Sequence, residues 1–159
     1  MKNFTFLLIT LFVTTFCWQA NAQFGCGSGI PIADGFTQMG ITTPGVGGPE
    51  DWNTNPSGTS ISSSYWDDDV YLFEYTAGVT NENISMTIDS RNSWFGIGIF
   101  DNCTGTTFDT ELDANGCTTS GVLTVSAAIA PGNTVYIAVG QWGTPNDLDF
   151  DVTDFTVNQ

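Results

Sequence analysis

The chain has 159 residues, of which seventeen are acidic, two are basic and none is histidine, for a net charge of −15. Nucleic acid and anionic lipid are bound through clusters of lysine and arginine, so this charge balance excludes both partner classes. Aromatic residues make up 13% of the chain, which is enough buried area to fold and argues against acidity-driven disorder.

Residues 1–22 read as a secretory signal peptide. Lys2 supplies the positive charge, Phe4 to Phe16 is almost wholly apolar, and Ala20-Asn21-Ala22 forms a small-residue cleavage site. The apolar run is too short for a membrane span, and no second run follows. Cys17 follows bulky Phe16, which argues against a lipid anchor. The expectation is a secreted or cell-surface protein with no membrane insertion. Residues 23–159 then form a single domain in which Arg91 is the one basic residue.

In that domain, residues 29–33 and 36–42 suggest short strands, and 59–63 a third. Residues 43–60, rich in Gly, Pro, Asn and Thr, read as a long loop. Val70 to Tyr75 is β-branched and aromatic, a strand signal. Ile84, Met86 and Ile88 alternate with Ser85, Thr87 and Asp89, the pattern of a half-buried strand. Phe95, Ile97 and Ile99 alternate with Trp94, Gly96, Gly98 and Phe100. Val122 to Ala128 and Val135 to Gly140 follow, separated by an Ala130-Pro131-Gly132-Asn133 turn. Leu148, Phe150 and Val152 alternate with Asp147, Asp149 and Asp151, which read as a wet face. Phe155 and Val157 fall on the other parity, so a bulge is expected near Thr153-Asp154. No stretch has a capped helical period. The fold class is all-β, an antiparallel β-sandwich of about seven to nine strands.

An exported chain meets an oxidising compartment, so a disulfide is expected. Cys103 and Cys117 flank a segment of loop composition and are expected to pair, worth ~3 kcal/mol in the loop-entropy model. Cys26 is then free, links two chains, or is the true partner of one of the other two. The missing histidine and the lack of a C-x-x-C pair argue against zinc.

Catalysis has little to work with, since neither histidine nor, after Lys2, lysine is available as base or nucleophile. Calcium is the one cofactor the acidic residues suggest. Asp67, Asp68 and Asp69 could converge at a loop-to-strand junction, with Asp101, Asp109 and Asp113 supplying further oxygens. The plain alternative is a solvated acidic strand end that discourages edge pairing. Trp142, in a Gly/Pro loop, and Trp94, on a strand face shared with Gly96 and Gly98, are the candidate ligand-binding aromatics. The plain alternative is that both fill or cover the core.

The motifs also carry a resemblance. A cysteine near the mature N-terminus is followed by Asp69-Val70-Tyr71-Leu72-Phe73, Phe95 to Cys103, and Pro131-Gly132-Asn133-Thr134-Val135-Tyr136-Ile137-Ala138-Val139. In order and spacing these resemble the bacterial pre-peptidase C-terminal domains, especially those of exported Bacteroidetes proteins, over residues 65–157. Two features depart from the family. No second cysteine precedes the D-V strand, and residues 1–159 themselves contain neither the enzyme nor the sorting domain that usually lies beside such a domain. The resemblance implies a jelly-roll-like sandwich without catalytic residues and an accessory or binding role. Some relatives bind calcium and some bind matrix polymers. The expected function is an exported non-catalytic module, calcium-stabilised, that binds an extracellular polymer, either polysaccharide or matrix protein. The alternative is a structural surface or matrix protein that self-associates.

Overall fold

Apolar residues spaced two apart lay the chain out as strands, because successive side chains along a strand point to opposite faces. The computed structural model describes residues 25–43, 60–66, 70–105, 107–142 and 148–159. Its strands are β1 (Ile30–Pro31), β2 (Gln38–Thr43), β3 (Tyr71–Thr76), β4 (Glu82–Ser90), β5 (Phe95–Phe100), β6 (Cys103–Thr104), β7 (Thr107–Phe108), β8 (Glu111–Cys117), β9 (Gly121–Ile129), β10 (Thr134–Gln141) and β11 (Leu148–Asn158). Short 3-10 turns occupy Cys26–Ser28 and Ser63–Tyr65.

Two sheets form the sandwich. One has the order β1-β3-β10-β5-β8, the other β2-β11-β4-β9, and β6 and β7 make a separate ribbon. All pairs are antiparallel except β1 with β3. The chain alternates between the sheets from β2 to β5 and again from β8 to β11, while β5 and β8 pair within one sheet, so the all-β sandwich expectation holds. Its nine main strands match the expected number.

The main core lies between the sheets. Ile84, Met86 and Ile88 of β4 meet Phe73 of β3, Ile97 and Ile99 of β5, and Phe150 and Phe155 of β11 there. Switching parity between Phe150 and Phe155 requires an extra residue, and the β11–β4 register shifts between Val152 and Asp154, where the bulge was expected. A second cluster covers the outer face of the five-stranded sheet. It contains Cys26, Tyr65, Trp66, Leu72, Phe100, Phe108 and Ala138.

Four expectations need correction. Residues 60–66 form no strand; they bend and enter the 3-10 turn that lies on the outer face. The segment between Cys103 and Cys117 is not a loop, since it forms the β6–β7 ribbon and then β8. Its polar residues act at a sheet edge. The Asp113 carboxylate accepts the Ser126 N–H at 2.7 Å, and the Asn115 amide donates to the Thr124 carbonyl at 3.2 Å. These bonds close the open edge of β9.

The expected Cys103–Cys117 disulfide is absent, because Cys103 bonds Cys26 across a Cα separation of 5.5 Å. The reason is topological. Cys117 pairs with Phe95 at the start of β5, whereas Cys103 follows Phe100 at its end. Five strand residues put the two cysteines roughly 17 Å apart, beyond the reach of a disulfide. Cys26 is therefore not a link between chains, and Cys117 is the free thiol among the described cysteines.

The wet face of β11 is also only partly wet. Asp151 is buried and accepts the Gly40 N–H at 2.6 Å. Arg91 grips it through Nη1 and Nη2 at 2.8 and 2.9 Å, and reaches Asp149 through Nε at 2.7 Å. The arginine holds the Asp151 carboxyl below its usual range, with the Gly40 N–H adding to the effect.

Candidate functional site

The site begins with glycines. Gly96 and Gly98 of β5, Gly116 of β8 and Gly140 of β10 leave a trough on the outer face of the five-stranded sheet. A Cβ at Gly96 would stand 3.0 Å from the Tyr65 ring, and one at Gly98 would stand 3.1 Å from the Trp66 indole. One at Gly140 would collide with the Tyr65 carbonyl oxygen. Residues 60–66 lie in the space these glycines leave open. Trp66 is fully buried there, and its Nε1 has no acceptor among the described residues.

From this trough a row of rings runs along the sheet. Phe108 stacks on Phe100 at 4.3 Å, Trp66 meets Phe100 edge-on at 5.5 Å, and Tyr65 follows Trp66 at 6.4 Å. Tyr65 meets Trp142 at 5.6 Å, and Trp142 meets Trp94 at 5.5 Å with their planes 69° apart. The inner rings are buried, but the last two are not: Trp94 and Trp142 are each 46% exposed. They line an open hollow of about 330 Å³.

The backbone brings these two tryptophans together. The β10–β5 ladder ends at Gln141 opposite Phe95. One more bond, from the Trp142 N–H to the Trp94 carbonyl at 2.8 Å, extends it past both strand ends. The Gln141 amide ties down the neighbouring Ser93 carbonyl at 3.0 Å. Trp94 itself has φ +56°, the one non-glycine positive φ among the described residues. A bulky side chain in that region is strained, and such strain concentrates at functional sites. The alternation had placed Trp94 on the β5 face with Gly96 and Gly98. It lies instead in the strained residue before β5, and Tyr65 and Trp66 fill the room those glycines leave.

Chemically, the pair offers aromatic faces and little else. Burial pushes the Tyr65 hydroxyl up, with Cys117 adding to the effect, so the phenol beneath stays protonated. Such a surface can stack on an apolar ring face or attract a cation through the ring quadrupole.

The candidate calcium ligands do not assemble among the described residues. Asp101 accepts the Thr110 N–H, Asp109 accepts the Asn102 amide and Asp113 accepts the Ser126 N–H. No three acidic or cysteine side chains converge among the described residues, whereas calcium takes six to eight oxygens. Asp67, Asp68 and Asp69 lie outside the described residues.

No family model and no curated protein matches the chain. Among solved structures it is similar to the pre-peptidase C-terminal domain of a collagenase from Bacillus anthracis. The identity is 12% and the TM-score 0.44, covering 82% of this chain and 94% of that one.

Proposed function

We propose that the chain is an exported, non-catalytic binding module that holds an extracellular polymer against the Trp94–Trp142 pair. One observation carries this reading: two tryptophans converge, half-exposed, at a strained backbone position, while the rings behind them are buried. The Cys26–Cys103 disulfide supports export, since such bonds persist in oxidising compartments. Among the described residues Tyr65, Tyr71 and Tyr75 offer no activated base, which supports a non-catalytic role. Burial raises Tyr65, Tyr71 and Tyr75, the last to about 12, so these phenols stay protonated at neutral pH.

The test is retention on immobilised insoluble polysaccharides and fibrous matrix proteins. Wild type should be retained by at least one of them, and Trp142→Ala should wash through. Equal retention of both proteins removes the tryptophan pair from the binding surface.

A further inference from the structure

We infer that the polymer is cationic: a polysaccharide of amino sugars carrying free ammonium groups. The inference rests on the binding reading above and deepens it.

Charge and aromatic geometry point the same way. The mature domain sets one arginine against seventeen carboxylates, and a field of that sign concentrates cations at the surface. Arg91, three residues before Trp94, is committed to Asp149 and Asp151. Among the described residues no other basic side chain can pair with a carboxylate or sulfate, so an anionic polymer finds no counter-charge there. Indole is the aromatic face that attracts cations best. Two indoles 5.5 Å apart, with planes at 69°, form a corner that can hold an ammonium group against one wall and a ring against the other.

The hollow is also wide for a single ammonium. At about 330 Å³ it has room for a sugar ring together with its substituent. A lysine tail would supply the charge, but it would leave much of the indole surface bare and give up rotamer freedom on docking. A sugar ring is already rigid, covers more of the aromatic surface and carries its ammonium in a fixed place.

The experiment compares short glucosamine oligomers with N-acetylglucosamine oligomers of equal length by titration calorimetry, below the amine pKa and at physiological salt. Wild type should bind the glucosamine oligomer about 2- to 5-fold more tightly, the increment expected of an exposed cation–π contact. Trp94→Ala and Trp142→Ala should abolish that preference, and Trp142→Phe should keep part of it. Thermal melts of each variant verify that it is folded.

If the acetylated oligomer binds as well or better and still needs the tryptophans, the cationic assignment is overturned while the binding reading stands. Glucosamine binding that is unchanged in both Trp→Ala variants marks diffuse attraction to an acidic surface and overturns the site. Oligolysine of equal charge binding as tightly, with the same Trp dependence, overturns the sugar assignment. If neither oligomer binds, this inference fails, and retention on the wider polymer panel decides the parent reading separately.

Discussion

Replacing Trp94 by alanine and by glycine separates backbone strain from side-chain packing. The indole is 46% exposed, so about half its surface is covered. A tryptophan buries on the order of 150–250 Å² when enclosed, so truncation exposes ~100 Å². At ~25 cal/mol per Å² that costs about 2.5 kcal/mol. Loss of the edge contact with Trp142 adds ~0.5–1.5 kcal/mol. Both variants lose these terms equally. They differ in the backbone. At φ +56° an L-residue carries a penalty of about 1–2 kcal/mol, which glycine avoids. Glycine gives back ~0.5–1 kcal/mol through its greater freedom when unfolded. Trp94→Gly should therefore be more stable than Trp94→Ala by roughly 0.5–1 kcal/mol, or roughly 2–5 °C in melting temperature. At an ordinary position the order is reversed. Urea unfolding of the three proteins measures the difference, and both variants should lose polymer retention alike. If alanine matches or exceeds glycine, Trp94 is not strained and the case for a backbone held under tension at the site is lost.

The disulfide gives the largest stability prediction. Closing a loop across a separation of 77 residues is worth about 4.5 kcal/mol in the loop-entropy model, so Cys26→Ser or Cys103→Ser should lose that order of stability. Cys117→Ala should cost under ~1 kcal/mol, and a non-reduced peptide map linking Cys103 to Cys117 would contradict the fold. Gly140→Ala should cost roughly 1–3 kcal/mol and shift tryptophan emission, because its Cβ meets the Tyr65 backbone under Trp142. Gly27→Ala, with nothing within 4 Å, is the neutral control. Acid should also destabilise the fold through Asp151. Its folded pKa is lowered from 3.8, so the stability it contributes is present above that value and is lost as pH falls through the depressed one. Asp151→Asn should flatten an acid-unfolding curve in that range. If Asp67, Asp68 and Asp69 hold calcium, millimolar calcium should raise the melting temperature beyond sodium chloride at matched ionic strength. The excess should vanish in the Asp68→Asn, Asp69→Asn double variant, and equal action of the two salts rules out a specific ion.

Strands that separate core from solvent were readable from sequence. The buried Ile84, Met86 and Ile88, set between polar neighbours, mark β4 without ambiguity. The parity change before Phe155 likewise marks the β11 bulge. Strand β8 was hidden for a physical reason: at an edge, Asp113 and Asn115 do the work of hydrogen-bonding β9, and their polarity reads as loop. The cysteine pairing was hidden because it depends on which end of β5 each cysteine occupies, and short sequence spacing argued for the wrong pair.

The candidate site was legible in its parts and illegible in its assembly. Exposed character at Trp142 and empty space beside Gly96 and Gly98 could both be read from local sequence. Their connection could not. Residues 60–66, about thirty positions before β5, fill the glycine trough with Tyr65 and Trp66, and Tyr65 then props Trp142 against Trp94. The glycines therefore act on the binding surface at a distance. They admit Tyr65 to the sheet, and Tyr65 decides where Trp142 stands. Along the same row of rings, exposure rises from fully buried Trp66 to half-exposed Trp142. Substitutions at the inner end should register as lost stability and those at the outer end as lost binding. Gly140 and Tyr65, between the two, are the positions where both change together.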